Sequence, residues 1–265
     1  ILRQPTFPQE EIDKHRHQVY SWFKAWDDDT DRVAERTLRE LIYPDSHPYH
    51  RRVHGTEASV GRMQRQALID FHAHYYRPDA LILAIVGDVN TPEVIEKIHA
   101  SMGDWEANAE KIPFAVSAAE YGERQVAIKP MMDKSQVNIE LGHKGLTRSN
   151  PDCHAFDLMN RILGGSAGLA RLFGRVRDVQ GVAYSVWSSF SPTMGEGPFH
   201  ASAGGNPNNV DKAIESILHE IALLKSEGVT EQELSDAQNL IVGNFALTLE
   251  TNKGIASVLL SADVY

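Results

Sequence analysis

Val182-Ala183-Tyr184-Ser185-Val186-Trp187-Ser188-Ser189-Phe190 and, after a short break, Phe199-His200-Ala201-Ser202-Ala203-Gly204 read as two strands. In the first, Trp187 and Phe190 alternate with Val186 and Ser188 as core and rim of a pleated segment rather than as a ligand box. Upstream lie a further strand, 136–143, and helices near 151–163 and 167–178. Downstream come two long helices, 209–226 and 230–247, the second opened by a capping box of Thr230 and Glu233. Strands and helices segregated into runs favour an α+β layer fold, with mostly antiparallel sheets packed against helices, over a doubly wound sheet. No Gly-rich nucleotide fingerprint follows any strand.

The N-terminal part is helical. Apolar residues recur at helical spacing over 10–25 and 31–42, separated by the acidic break Asp27 to Asp29. A Pro/His/Gly-rich loop over 44–55 precedes a third helix, with Ser59 as its cap, that runs to about Tyr76 and stops at Arg77-Pro78. Leu81 to Val86 reads as a buried strand closed by Gly87-Asp88, and Pro92 opens another helix to about Met102. The stretch 103–133 carries Pro113, Gly122 and Pro130 with weak periodicity, as expected of an interdomain connection with an edge strand near 125–128. The expected division is therefore 1–105, a linker over 106–130, and 131–265.

A net charge of -10 and a pI near 5.6 disfavour nucleic acid or an anionic membrane as partner, because phosphate binding needs a concentrated basic face. Leu81 to Val86 is far too short to cross a bilayer, and nothing near Ile1 reads as a signal peptide. A start at Ile1 without Met, and a stop at Tyr265 after an apolar helical stretch, suggest an excised piece. The single cysteine, Cys153, excludes an internal disulfide and a Cys-based zinc cluster. Cytoplasm and periplasm both stay open.

The order of landmarks carries more information than any one of them. It runs Phe7-Pro8 before an acidic helix, His47-Pro48-Tyr49, Gly55-Thr56-Glu57, Phe71 with Tyr75-Tyr76-Arg77-Pro78, and Val86-Gly87-Asp88. It continues with Leu163-Gly164-Gly165, Arg171-Leu172-Phe173, Arg177-Asp178, Gly181-Val182-Ala183-Tyr184-Ser185, and Gly228-Val229-Thr230 with Glu233-Leu234. In this order the sequence resembles the M16 (pitrilysin or insulinase-like) zinc peptidase family across nearly its whole length. The resemblance implies two M16-type repeat domains, both partly truncated.

Members of that family hold zinc with an inverted His-x-x-Glu-His motif and a Glu on a later helix, the remaining position being water. The motif occurs nowhere in this sequence, and its expected place lies upstream of Ile1. Zinc-binding members carry two carboxylates, two turns apart, on the helix after Phe7. Aligned without gaps, those slots hold His15 and Trp22, and an indole offers no electron pair to a metal. The resemblance therefore points to the non-zinc half, with no cofactor in this chain and zinc on a partner half. His47, His50 and His54 are spaced like ligands. They sit, however, in the loop whose His47-Pro48-Tyr49 already matches a structural segment of the family, with no acidic residue placed as general base. His72 and His74, and likewise His15 and His17, stand two apart on helices and face different directions.

Arg177 ends a helix, Tyr184 begins a strand, and Gly181 permits the reversal between them, a geometry able to aim both side chains into one cleft. The resemblance implies that this Arg and Tyr reach across the chamber to hydrogen-bond the substrate backbone near the scissile carbonyl. Read as residue types alone, they are a helix-terminal cation and a good β residue. Gly164, Gly165 and Ser166 form a glycine-rich turn that contacts peptide in processing relatives and otherwise links two helices.

The expectation is a zinc-less half or companion subunit that closes on a zinc-bearing M16 half around an unfolded peptide, with a homodimer of this chain also open. Two rivals remain. One is a structural subunit like the core proteins of the respiratory bc1 complex, favoured if Arg177 and Tyr184 are packed into the interior. The other is a piece of a zinc-binding peptidase with an altered third ligand.

Overall fold

The computed structural model describes residues 2–107, 116, 118, 120 and 122–265. In chain order it holds helices α1 (Gln9–Asp27), α2 (Thr30–Ile42), α3 (Glu57–Arg62), α4 (Arg65–Tyr75) and α5 (Thr91–Met102), then strand β1 (Val137–Lys144) and helix α6 (Cys153–Asn160). Two π-helical segments, Arg161–Gly165 and Leu172–Val179, lead to β2 (Ser185–Phe190) and β3 (Pro198–Gly205). Helices α7 (Val210–Glu227), α8 (Glu231–Thr248) and α9 (Asn252–Val264) follow.

The three strands form one antiparallel sheet in the order β1-β3-β2, with Ile139 opposite Ala203 and Val186 opposite the same residue from the other side. The central strand β3 is buried along its whole length. Period-2 alternation sends Phe199, Ala201 and Ala203 to one face, where they join Leu172 and Val176 of the second π-helical segment and Ile217 of α7. The opposite face is polar near β1 and carries α2, tied there by the Thr30 hydroxyl donating to Asn138 Oδ1 (2.7 Å) and Asn138 Nδ2 donating to Asp31 (2.9 Å). On that face the side chains of His200 and Glu140, both less than a tenth exposed, pair at 2.7 Å. This helix-rich α+β arrangement with a small antiparallel sheet is the class expected from the segregated runs of strands and helices.

Several local expectations change. Leu81 to Val86 belongs to no strand, and Leu81, Ile82, Leu83 and Ile85 are exposed. Strand pairing needs a neighbour to take up the main-chain donors and acceptors, and among the described residues no strand pairs with this segment. The edge strand expected at 125–128 is likewise absent, with Val126 and Ile128 exposed. Of the 106–130 connection, residues 108–115, 117, 119 and 121 lie outside the described residues. The single helix expected from Ser59 to Tyr76 is two, α3 and α4, broken at Met63 and Gln64. Its cap is Thr56, whose hydroxyl accepts from the Ser59 N–H while Ser59 Oγ accepts from the Thr56 N–H, a reciprocal capping box.

Two compact units emerge, each discontinuous in sequence: residues 1–22, 55–114 and 243–265 in one, residues 23–54 and 115–242 in the other. In the first, Arg65 donates to the carbonyls of Phe7 (2.7 Å) and Thr6 (2.8 Å), fixing the segment before α1. In the second, the loop after α2 is fastened to the β2–β3 hairpin. The Tyr43 hydroxyl donates to the Glu196 carbonyl (2.7 Å), and the Tyr49 hydroxyl meets Thr193 and accepts from the Gly195 N–H (3.0 Å). Burial, against a smaller opposing pull from Arg39, pushes the Tyr43 phenol well above its ordinary value and keeps it a neutral donor.

Candidate functional site

Helix α6 runs without interruption into the π-helical turn Arg161–Gly165. π-Helical windings are rare and recur at functional sites, and here two of them flank the glycine-rich turn. Gly164 is buried. A Cβ there would stand 2.5 Å from both the main-chain nitrogen and Oγ of Ser188 on β2, so only glycine lets the two segments approach this closely. Gly165 is exposed, and Ser166 is half-buried, its Oγ lacking a hydrogen-bond partner among the described residues.

The second π-helical segment is anchored by Leu172 and Val176, both fully buried, and ends at Val179. Gly181 then adopts φ +63° in open space, and its N–H donates to the Arg177 carbonyl at 3.0 Å, closing the helix with a left-handed residue. Val182 and Ala183 drop into the core, and the Tyr184 N–H donates to the Gly204 carbonyl (2.8 Å), which carries the chain into β2. Arg177 is thus set just before the reversal and Tyr184 just after it. Both side chains are exposed, Tyr184 to 69%. Among the described residues the Tyr184 hydroxyl makes no hydrogen bond and Arg177 makes no ion pair. The guanidinium instead lies 4.4 Å over the ring of Phe173.

Beside these residues stands a clamp that sequence reading saw only by half. Thr230 and Glu233 do form the expected capping box: the Glu233 N–H donates to Thr230 Oγ1 (3.2 Å), and the Thr230 N–H donates to Glu233 Oε2 (2.8 Å). Glu233 also receives a bidentate pair from Arg171, Nε to Oε1 at 2.6 Å and Nη2 to Oε2 at 2.7 Å, while Nη2 donates as well to the Gly228 carbonyl (2.9 Å). The Arg171 hydrogen bonds, followed by those from Thr230, hold the Glu233 carboxyl down at about 2.

His15 and Trp22 lie two turns apart on α1, with their rings edge-on at 5.8 Å, and His15 Nδ1 pairs with Gln18 Oε1 (3.3 Å). The indole of Trp22 offers no electron pair to a metal, so His15 and Trp22 together make no zinc-ligand pair. Among the described residues no group of three or more His, Cys, Asp or Glu is placed to hold a metal ion. The loop histidines have structural work: His47 Nδ1 accepts from the Tyr49 N–H (3.1 Å) and its ring stacks on Tyr43, while His50 Nδ1 donates to the Tyr43 carbonyl (2.8 Å). The His54 ring meets Trp26 edge-on at 4.8 Å. His72 donates from Nε2 to the Leu2 carbonyl (2.7 Å) and stacks on Tyr76. Among the described residues no helix is long and apolar enough to cross a membrane.

The family model described as the peptidase M16 inactive domain matches residues 62–241, more than half of the chain. The chain belongs to the peptidase M16 family. The "uncharacterized zinc protease YmxG" of Bacillus subtilis is 27% identical over 246 residues, covering 93% of this M16 chain and 58% of the relative. The solved structure of a peptidase M16 inactive domain from Pseudomonas fluorescens superposes with a TM-score of 0.83 at 25% identity, covering 97% of this chain and 60% of that one. A protease from Helicobacter pylori superposes with a TM-score of 0.85 at 22% identity, covering 97% and 63%, a likeness of fold. The M16 chain described here therefore spans about three-fifths of the length of these relatives.

Proposed function

We propose that this chain is the zinc-less half, or a companion subunit, of an M16 metallopeptidase. In this reading it binds the backbone of an unfolded peptide whose hydrolysis is carried out at a zinc site on the partner half. One observation carries the proposal. At the Gly181 reversal an exposed arginine and an exposed tyrosine flank one tight turn, and among the described residues neither commits its polar group to a hydrogen bond or ion pair. A guanidinium fork and a phenol both donate to carbonyl oxygens and can offset the charge that develops when an amide carbonyl becomes tetrahedral. Tyr184 also leads into β2, an edge strand of the sheet, whose outer main-chain groups can pair with an extended peptide. Burial of Gly164 against Ser188 leaves peptide contact at the glycine-rich turn to Gly165 and Ser166. The purely structural reading would gain support from Arg177 and Tyr184 packed into the interior, and both are exposed.

The test pairs the chain with a zinc-bearing M16 half and follows peptide turnover. Arg177→Ala and Tyr184→Phe should each lower kcat by about 100-fold, the loss of one donor aimed at the transition state. Undiminished turnover in both variants would end the proposal. Stoichiometric zinc retained by the isolated chain on α1 would do so as well.

A further inference from the structure

We infer that Phe173 is the positioning residue for Arg177, a ring platform that holds the guanidinium in the orientation needed to engage substrate. The inference rests on the substrate-binding reading given above. An exposed arginine has many rotamers, and only some of them point its fork at a given carbonyl. Arg177 has no carboxylate to fix it among the described residues, yet its Cζ lies 4.4 Å from the Phe173 ring centroid, well inside the range at which a ring face attracts a cation. The platform itself is rigidly mounted. Phe173 is half-buried and sits on the π-helical segment whose Leu172 and Val176 are sunk completely in the core.

The ring also borders the glycine-rich turn, since a Cβ added at Gly168 would come 3.9 Å from Phe173 Cε1. One aromatic side chain thus lies under the arginine and borders the turn at 164–168, the two sequence features that point to peptide binding. A bare hydrophobic contact would be served equally well by leucine. A cation platform would not, because only an aromatic face carries the quadrupole that attracts the guanidinium.

The experiment compares Phe173→Leu, Phe173→Tyr, Arg177→Ala and the double variant Phe173→Leu/Arg177→Ala, assembled with the zinc-bearing half, and records proton–carbon NMR spectra of the isolated chain. Expected are an upfield ring-current shift of the Arg177 δ-methylene that vanishes in Phe173→Leu, and a loss of turnover of about 3- to 10-fold in Phe173→Leu. Phe173→Tyr should stay within about twofold of the parent, and in the Arg177→Ala background Phe173→Leu should cost nothing further. A full loss from Phe173→Leu in the Arg177→Ala background, or equal loss in Phe173→Tyr, would make Phe173 merely structural and overturn the inference. So would an absent ring-current shift, or unchanged turnover in Phe173→Leu while Arg177→Ala is impaired. Unchanged turnover in Arg177→Ala itself would refute the underlying reading instead.

Discussion

Replacing Glu233 with Gln removes the charge from the Arg171 clamp while keeping its shape. The carboxyl is held at about 2 against an ordinary 4.5, a difference worth about 3 kcal/mol at neutral pH. Glu233 keeps 24% of its side chain open to water, which reduces that to about 2 kcal/mol. Against this, Arg171 is only 7% exposed and would be left charged beside a neutral amide, so a total of about 2–3 kcal/mol is expected at pH 7. The sign with pH follows from the depressed value. A carboxyl more acidic in the folded than in the unfolded chain stabilises the fold fully above about pH 5, and that contribution drains away as pH falls through 4.5 toward 2. Urea unfolding followed by circular dichroism at pH 7, pH 4 and pH 2.5 should show a parent–variant gap of about 2–3 kcal/mol at neutral pH that closes with acid. A neutral-pH gap under about 0.5 kcal/mol, or one that persists at pH 2.5, would refute the assignment of stability to this ion pair.

Gly164→Ala should destabilise the chain by about 2–3 kcal/mol, measured in the same urea titration, because its Cβ would meet the Ser188 main chain at 2.5 Å and force the π-turn off β2. Gly181→Ala should cost about 1 kcal/mol from its φ of +63° alone, since open space surrounds it, and Gly181→Asn should recover part of the loss. His200→Ala should cost about 1–3 kcal/mol by leaving the Glu140 carboxyl, its side chain only 3% exposed, without its hydrogen-bond partner, with His200→Gln milder.

Local chemistry was the legible part. The Thr230–Glu233 box, the Gly181 reversal and the ends of the long helices all rest on groups a few residues apart, and the chain states such spacings openly. Ser59 marked the right turn but the wrong role, because Thr56 three residues earlier has the same capping chemistry. Arg171 and Glu233 were both in view, yet nothing in either neighbourhood says that residues 62 apart will meet. Glu140 and His200 stand in strands where apolar residues alternate with polar ones, so their burial follows only from α2 covering the polar face. The π-helical windings, over five and eight residues, are too short for their wider turn to show as a period in the sequence. Leu81 to Val86 has strand composition without a strand neighbour, and composition cannot tell whether a neighbour exists.

Leu81-Ile82-Leu83-Ala84-Ile85-Val86 has neither charge nor proline to interrupt it, and Leu81, Ile82, Leu83 and Ile85 are exposed. Such a hexapeptide offers ready material for stacking copies into cross-β ribbons. Whoever purifies these 265 residues should expect concentration-dependent fibrils or precipitate seeded from this segment, and a lysine written into it as gatekeeper should keep the preparation clear.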